Sequence, residues 1–249
     1  MITPVFVANW KMNKTVGEAL AFVDRLKTLA RGAPDRQVVI APPFTALYAA
    51  GESLKDSKIG LAAQNLSADR EGAFTGEVSA RMLADVGCTH VIVGHSERRV
   101  LFGETDDAIS AKIVLALEFG MKPIFCIGET LREREAGRTF DVVEKQFKEG
   151  LNRIATSDIG RLVIAYEPVW AIGTGKTATP EQAFEVHDFI RKMITRRCGD
   201  ETAPRLPLIY GGSVTPENIS RLMAQPDIDG VLVGGAGLDV DAFGKIIAY

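Results

Sequence analysis

Eight short apolar runs alternate with stretches of helical period, and this alternation constrains the fold more than any other feature of the sequence. The runs occupy positions 4–10, 37–43, 58–65, 90–97, 122–129, 162–168, 206–212 and 230–235. Each run is nearly continuous in apolar character, as is typical of parallel strands that are covered on both faces. The stretches between them are amphipathic, for example 17–31, 106–119, 139–154 and 180–197. Strict β-α alternation of this kind requires a parallel sheet with helical crossovers.

The number of βα units distinguishes between two parallel-sheet architectures. Eight units in 249 residues match the closed (β/α)8 barrel in both count and length. A doubly wound open sheet is the alternative, but it usually has fewer strands and begins with a glycine-rich first turn. The first turn here reads NWKMNK, and no linker or charge block divides the chain. The sequence therefore predicts an α/β protein whose residues 1–249 form a single-domain TIM-type barrel.

Charge and cysteine content exclude several classes of protein. The net charge is −3, from 29 basic and 32 acidic residues, so no basic field favours nucleic acid or a membrane surface. Cys88, Cys126 and Cys198 stand far apart, which indicates a reducing compartment and neither a disulfide framework nor a metal site. We find no signal-peptide pattern and no apolar run of the length of a membrane span. We therefore expect a cytoplasmic protein.

Paired glycines follow the last two runs, in YGGS and VGGA. Chemistry in such barrels is located at the carboxyl ends of the strands, and a phosphate site is often built after strands seven and eight. The positions at which the backbone could approach an anion closely are Gly211, Gly212, Gly234 and Gly235. Ser213 adds a hydroxyl. One pair alone would more often make a tight turn, but two pairs at these strands predict a small phosphorylated ligand.

Acid, base and charge candidates end other strands. Glu167 precedes Pro168, so we expect its side chain at the barrel mouth beside a stiff neighbour. A carboxylate partly removed from water holds a proton more tightly, which suits a general base near neutral pH. We expect Ser96 to cap the helix after His95, where a neutral imidazole can donate a hydrogen bond to a carbonyl oxygen. Lys11 brings a positive charge to the same mouth.

The segment YEPVWAIGTGKTAT resembles a nucleotide-binding loop, yet the pattern is incomplete. GKT supplies the second half of a phosphate-binding loop, but Trp170 stands where its first glycine should be. A dinucleotide site is disfavoured too, because the acidic residue that it needs about 20 residues later is missing. A stiff base, an apolar tip and two glycines instead predict a lid that excludes water from a reactive intermediate. Its residues are Val169, Trp170, Ala171, Ile172, Gly173, Thr174, Gly175 and Lys176.

Five motifs, taken together, resemble the triosephosphate isomerase family. They are ANWKMNK, VIVGHSERR, CIGE, AYEPVWAIGTGK and YGGSV, and the resemblance runs from Phe6 to the C-terminal helix. It implies interconversion of dihydroxyacetone phosphate and glyceraldehyde 3-phosphate through an enediolate, in glycolysis and gluconeogenesis, without cofactor or metal. It also implies that Glu167 is the base, that His95 is a neutral electrophile, and that Asn9 and Lys11 stabilise the oxyanion.

The resemblance further implies residues that support the chemistry. Phosphate contacts would come from Gly173, Ser213, Gly234 and Gly235. Supporting positions would be Ser96, Glu97 as a partner of Lys11, and Ile172 with Leu232 as apolar neighbours of Glu167. The family is usually a homodimer, and here the loop Asn65–Glu77 would dock into the partner with Thr75 near its active site. Gly237 stands where the family commonly has serine. Because this residue adjoins the predicted phosphate site, we expect the phosphate affinity, but not the chemistry, to differ from that of the family.

Three other functions remain on the same fold. A glycosidase would need two opposed carboxylates, and Glu97 with Glu167 are the candidates. A Schiff-base aldolase would use Lys11 as its nucleophile. A catalytically silent barrel could act as a binding protein, but such a chain should have lost at least one of the four predicted catalytic residues. The neutral glycine pairs favour phosphate over sugar hydroxyls.

Overall fold

In the computed structural model, which describes residues 2–173 and 177–249, the apolar runs form parallel strands. The strands are β1 (Val5–Asn9), β2 (Gln37–Ala41), β3 (Gly60–Ala63), β4 (His90–Val93), β5 (Lys122–Ile127), β6 (Val163–Tyr166), β7 (Leu208–Tyr210) and β8 (Gly230–Val233). Each pairs with the next in chain order, and β8 returns to pair with β1, where Val5 lies opposite Gly230. The described strands thus close into an eight-stranded barrel, which confirms the predicted (β/α)8 fold.

Helices connect the strands and cover the outside of the barrel. The α-helices of the described residues are α1 (Val16–Ala30), α2 (Phe44–Leu54), α3 (Ala80–Asp85), α4 (Ser96–Phe102), α5 (Asp106–Glu118), α6 (Leu131–Glu135), α7 (Thr139–Gly150), α8 (Thr156–Ile159), α9 (Pro180–Cys198), α10 (Ile219–Met223) and α11 (Val240–Ile247). Local sequence sets several of their starts, because Thr15 and Thr179 each form a capping box ahead of α1 and α9. Within 2–173 and 177–249, no helix combines the length and the apolar character that crossing a membrane requires.

Alternation along the strands sorts the apolar side chains into two cores. Val5 and Val7 belong to a core inside the barrel, whereas Phe6 and Ala8 pack outward beneath the helices. The inner core is formed by Val5, Val7, Val39, Ala41, Ala62, Ile92, Ile124, Cys126, Val163, Ala165, Ile209 and Leu232. Because side chains alternate with a period of two, the residue two positions beyond the last inner-core residue of a strand also points toward the barrel axis.

Five of these following positions form what we term the mouth layer. They are Asn9, Gln64, Glu167, Gly211 and Gly234, each two residues beyond an inner-core residue of β1, β3, β6, β7 or β8. The barrel below them is filled by apolar side chains, so the mouth layer is the first level at which polar groups and open space occur.

Candidate active site

A cavity of about 400 Å³ opens at the carboxyl ends of the strands. It brings together residues that the sequence analysis assigned to catalysis, to phosphate and to the lid. These lining residues are Asn9, Lys11, His95, Glu167, Ile172, Gly173, Gly211, Gly212, Ser213, Leu232, Gly234 and Gly235. Carboxylate, imidazole and ammonium groups therefore share one cavity with a wall of glycines.

Glu167 is held at the β4 side of this cavity. Its side chain is almost fully buried, and Oε2 accepts a hydrogen bond of 2.8 Å from the backbone N–H of Ser96. Its Oε1 lies 3.1 Å from Nε2 of His95, but the two atoms lack the alignment of a hydrogen bond. Two glycines make room for it, because a Cβ on Gly128 would lie 1.7 Å from the Glu167 carbonyl oxygen and one on Gly211 would lie 2.9 Å from its Cγ.

The start of α4 orients His95. Its Nδ1 accepts a hydrogen bond of 3.2 Å from the backbone N–H of Glu97, so His95 itself is the N-cap of α4. The expectation that Ser96 caps this helix was wrong, because the helix begins one residue earlier and Ser96 occupies its first turn. The N–H of Ser96 is consequently one of the helix-end donors that lack an intrahelical partner, and it binds Glu167 instead. Because Nδ1 accepts, a neutral ring would carry its proton on Nε2, the nitrogen that lies 3.1 Å from Oε1 of Glu167.

Lys11 reaches the cavity from a strained backbone. Its φ of 52° lies in the left-handed region, which residues with a side chain rarely adopt. Its N–H donates to Oδ1 of Asn9 at 3.0 Å, and its carbonyl accepts from Nε2 of Gln64 at 2.8 Å. The same Gln64 nitrogen donates to the carbonyl of Ala41 at 2.8 Å. The Lys11 ammonium lies 2.5 Å from Oε1 of Glu97, which is the contact that the family resemblance implied.

The predicted phosphate-binding residues Gly234 and Gly235 lie where β8 leads into a short 3-10 turn, Gly235–Leu238. Within it the N–H of Gly237 donates to the carbonyl of Gly234 at 2.9 Å. A Cβ on Gly237 would lie 3.2 Å from Cβ of Ala8, a closer approach than side chains normally make. A side chain at position 237 would therefore require the turn or β1 to shift by a few tenths of an ångström.

Comparison with known proteins relates this geometry to one family. The family described as triosephosphate isomerase matches residues 4–249. The chain is 51% identical to the triosephosphate isomerase of Geotalea uraniireducens (strain Rf4), over all of this chain and 99% of the relative. It is 52% identical to that of Endomicrobium trichonymphae at the same coverage. The chain belongs to the triosephosphate isomerase family. A third member, from Carboxydothermus hydrogenoformans, is 52% identical over 99% of this chain and 98% of its own length.

In this triosephosphate isomerase family member the predicted lid rises from a buried carboxylate, Glu129. Trp170 donates its indole N–H to Oε1 of Glu129 at 2.9 Å, and the hydroxyl of Tyr166 donates to Oε2 at 3.1 Å. Arg134 supplies the countercharge at 3.0 Å and lies over the Trp170 ring. Burial, and then the charge of Glu129, raise the pKa of Tyr166 well above its ordinary value, so the phenol remains a donor. Glu129 is the last residue of the apolar run 122–129, but no pattern around it indicated a role.

The described part of the lid runs from a 3-10 turn to two residues that line the cavity. Val169–Ala171 forms a 3-10 turn, and Gly173 follows Ile172 with a φ of 68°. Ile172 and Gly173 line the cavity. The remaining predicted lid residues, Thr174, Gly175 and Lys176, lie outside the described residues.

Thr75, predicted to act in a partner's active site, lies on an exposed loop between Phe74 and Gly76.

A second cavity of about 270 Å³ adjoins the first, and Lys11, His95, Glu97 and Phe102 contribute to its lining. The catalytic candidates are thus approached from two sides, one facing the glycine wall and one facing the surface around Phe102.

Proposed function

We propose that this protein interconverts dihydroxyacetone phosphate and D-glyceraldehyde 3-phosphate by proton transfer through an enediolate. The observation that carries the proposal is the meeting of Glu167, His95 and Lys11 in one cavity that also has a glycine wall. Membership of the triosephosphate isomerase family supports the same reaction. We treat residues 1–249 as one catalytic domain.

The substrate phosphate would bind at the glycine wall. Backbone N–H groups of Gly173, Gly234 and Gly235, with the hydroxyl of Ser213, are suitable donors for a phosphate oxygen. Lys11 supplies positive charge near this wall, because a Cβ on Gly234 would lie 3.8 Å from its Nζ. The three-carbon body of the substrate would then extend toward Glu167 and His95.

Glu167 would move the proton between the two carbons. Its carboxylate accepts the proton from C1 of the ketose, the C–H electron pair forms the C=C bond of the enediolate, and the carboxyl returns the proton to C2. Because Glu167 is hydrogen-bonded to Ser96 in the described state, its side chain must leave that N–H to reach the substrate. Ile172 and Leu232 line the cavity as apolar walls around this movement.

His95 and Lys11 would stabilise the charge that develops on oxygen. His95 lines the cavity and its Nδ1 is an acceptor, so a proton on Nε2 would bind the carbonyl oxygen and pass between the two oxygens. The Lys11 ammonium and the amide of Asn9 add electrostatic stabilisation from the β1 side. The side chains of His95, Lys11 and Asn9 stabilise the negative charge on oxygen in this scheme, which uses no cofactor or metal.

Closure of the lid would protect the intermediate. An enediolate beside a phosphate ester can eliminate phosphate, and excluding water while holding the phosphate in position suppresses that loss. The described base of the lid, Val169–Ala171, is anchored to Glu129 through Trp170.

A coupled assay with glyceraldehyde 3-phosphate tests the reaction and the base together. Glu167→Asp withdraws the carboxylate by one methylene, so we expect turnover to fall by about 100-fold. Glu181→Asp, an exposed substitution on α9 just after the lid, is the matched control and should retain full turnover. A folded wild-type sample without turnover would refute the isomerase, whereas turnover indifferent to Glu167→Asp would require a different base.

We further propose a homodimer through the loop Asn65–Glu77. Of the exposed large apolar side chains, Met12, Phe44 and Phe102 line the cavity beside Lys11 and His95. Others exposed on the described surface are Tyr48, Phe74, Met82, Val100 and Leu101. Exposed apolar surface of this extent is typical of protein–protein interfaces. The cavity that adjoins Lys11 and His95 has room for a loop tip, and Thr75 of a second copy is the residue that we place there.

The oligomeric state and the activity test this proposal together. We expect light scattering to give twice the chain mass of 26.9 kDa for the wild type. Phe102→Glu should produce monomers with reduced turnover. Leu131→Glu makes the same apolar-to-charged change at an exposed site on α6 and should leave the dimer intact. A wild-type monomer with full activity would contradict the proposal.

We also propose a cytoplasmic protein of glycolysis and gluconeogenesis that acts on a small substrate, without nucleic acid or membrane. The family supports the metabolic role, and the free thiols of Cys88, Cys126 and Cys198 suit a reducing compartment. Cell fractionation tests the location, and turnover that survives a chelator would agree with chemistry that uses no metal.

A further inference from the structure

Lys14 adopts a backbone conformation that suits glycine better than lysine. Its φ is 74°, in the left-handed region, which is costly for a residue with a Cβ. The next residue, Thr15, opens α1 in a capping box with Glu18, so the turn that contains Lys14 is fixed on its helical side. A lysine retained in this conformation indicates that its side chain makes a contact that glycine could not make.

The Lys14 ammonium makes that contact across the whole length of the chain. Its Nζ donates to the carbonyl oxygen of Leu238 at 2.8 Å. It also lies 4.8 Å from the centre of the Phe22 ring and 5.5 Å from that of the Trp10 ring. Both rings are buried, and they pack edge to face with their centres 4.9 Å apart. Two ring faces and one carbonyl therefore fix the direction of the ammonium.

Leu238 ends the turn that forms the phosphate wall. Gly234, Gly235 and Leu238 all line the mouth cavity, and the 3-10 turn Gly235–Leu238 lies beyond the last paired residue of β8. Strand pairing therefore does not position this turn. The described contacts of this turn include its internal bond from Gly237, its packing on β1, its direct continuation into α11 through the cap residue Asp239, and the hydrogen bond from Lys14.

We propose that Lys14 is a positioning residue for phosphate binding. It holds the turn Gly235–Leu238 against the β1 side of the barrel, so that the N–H groups of Gly234 and Gly235 face the substrate phosphate. Lys14 is not among the described residues that line the mouth cavity, so it acts through the turn and does not touch the substrate. This inference rests on the proposed function, because it assumes that phosphate binds at this wall.

The test compares binding of inorganic phosphate, measured by calorimetry, with steady-state kinetics. Lys14→Gly removes the ammonium while relieving the backbone strain, so the variant should fold. We expect its phosphate Kd and its KM to rise about three- to tenfold with kcat nearly unchanged, because only part of a charged hydrogen bond is transmitted to the ligand. Lys14→Arg, which keeps a charged donor, should bind phosphate more tightly than Lys14→Gly.

Two controls separate the contact from loss of charge and of stability. Lys27→Met removes a lysine whose Nζ approaches Ser53 at 3.4 Å near the other end of α1, and it should leave both Kd and KM unchanged. Repeating the calorimetry at raised ionic strength should preserve the difference between Lys14→Gly and wild type, because long-range attraction is screened. Thermal unfolding verifies that each variant is folded at the assay temperature.

Several results would overturn the inference. A phosphate Kd for Lys14→Gly within twofold of wild type would do so, as would an equal loss in Lys27→Met. A wild-type protein that binds no phosphate would refute both this inference and the proposed phosphate wall. Wild-type protein that binds phosphate without isomerising the triose phosphates would refute the proposed function alone, and the Lys14→Gly comparison would then decide the inference by itself.

Discussion

Replacing Gln64 by glutamate should destabilise the protein more than the similar shapes of the two side chains suggest. The Gln64 amide donates to the carbonyl oxygens of Lys11 and Ala41, both at 2.8 Å. Glutamate has nearly the same shape, but its ionised form has no donor. The substitution therefore removes two hydrogen bonds and places a carboxylate against two carbonyl oxygens. It also releases the Lys11 backbone, whose φ of 52° depends on this support.

The size of the effect follows from these contacts. Each lost hydrogen bond contributes about 1 kcal/mol, and leaving partly buried acceptors beside an unpaired carboxylate adds about 1–3 kcal/mol. We therefore expect the free energy of unfolding to fall by about 3–5 kcal/mol near pH 8. At about 2–4 °C for each kcal/mol in a chain of this size, the melting temperature should fall by roughly 6–20 °C. Displacement of Lys11 should also lower kcat/KM by about tenfold or more.

The pH dependence of Gln64→Glu provides an internal check. Facing two carbonyl oxygens, the introduced carboxyl is favoured in its protonated form, which can donate one bond, so its folded pKa lies above its unfolded value of about 4.3. A raised folded pKa adds stability that is fully present below the unfolded pKa and is lost as pH rises through the folded pKa. The deficit relative to wild type should therefore be smallest near pH 4 and largest near pH 8.

Urea unfolding at several pH values, at one fixed protein concentration because of the proposed dimer, measures both effects. Gln182→Glu is the matched control. In the capping box of α9 the Gln182 side chain accepts from the N–H of Thr179 at 3.0 Å, so glutamate retains the contact and should be neutral or slightly stabilising. A Gln64→Glu variant as stable as wild type at pH 8 would refute the argument that the amide donors of Gln64 support Lys11.

Three further predictions concern buried groups. Burial raises the pKa of the Cys88 thiol to about 12, so iodoacetamide at pH 8 should modify the partly exposed Cys198 first; mass mapping that finds Cys88 labelled first would contradict this. Burial lowers the pKa of His187 to about 4, below its unfolded value of about 6.5, so stability present above pH 6.5 should be lost toward pH 4 by up to about 3 kcal/mol. Urea unfolding should show a weaker pH dependence in His187→Asn, and parallel curves would exclude the histidine as the cause. Gly211→Ala would place a Cβ 2.9 Å from Cγ of Glu167, so turnover should fall about tenfold or more, and full activity would show that the carboxylate tolerates the displacement.

Sequence patterns sufficed for the fold and for the strand-end residues because both depend on local periodicity. Continuous apolar runs separated by helical stretches predicted parallel strands, and the structure closes them into a barrel. The same alternation that buries Val7 and Ala165 inside the barrel carries Asn9 and Glu167 to the mouth. Strand-end inspection therefore located these two without any knowledge of their contacts.

The supporting contacts were beyond sequence reasoning, because they join distant segments without a local pattern. Gln64 supports Lys11 because Lys11 adopts a left-handed conformation. The residues around Lys11 contain no pattern that predicts this conformation. Glu129 lies beneath Trp170 across 41 residues of sequence. The start of α4 was misplaced by one residue, since serine is the commoner cap and the role of His95 as the cap depends on how its ring is oriented.

The mouth layer shows why one end of the cavity suits chemistry and the other suits phosphate. Asn9, Gln64 and Glu167 carry polar side chains at the ends of β1, β3 and β6, whereas the glycines Gly211 and Gly234 follow β7 and β8. Side chains of ordinary size at those two positions would continue the filling of the barrel and close the cavity on that side. Their absence creates space, and Asn9 and Glu167 line the same cavity from the strand ends opposite. Gly94 and Gly128 occupy the same level after β4 and β5, but neighbouring atoms fill the space beside them and they do not line the cavity. The division of labour therefore follows from the glycines after β7 and β8, and Gly211 also leaves room for the carboxylate that it faces.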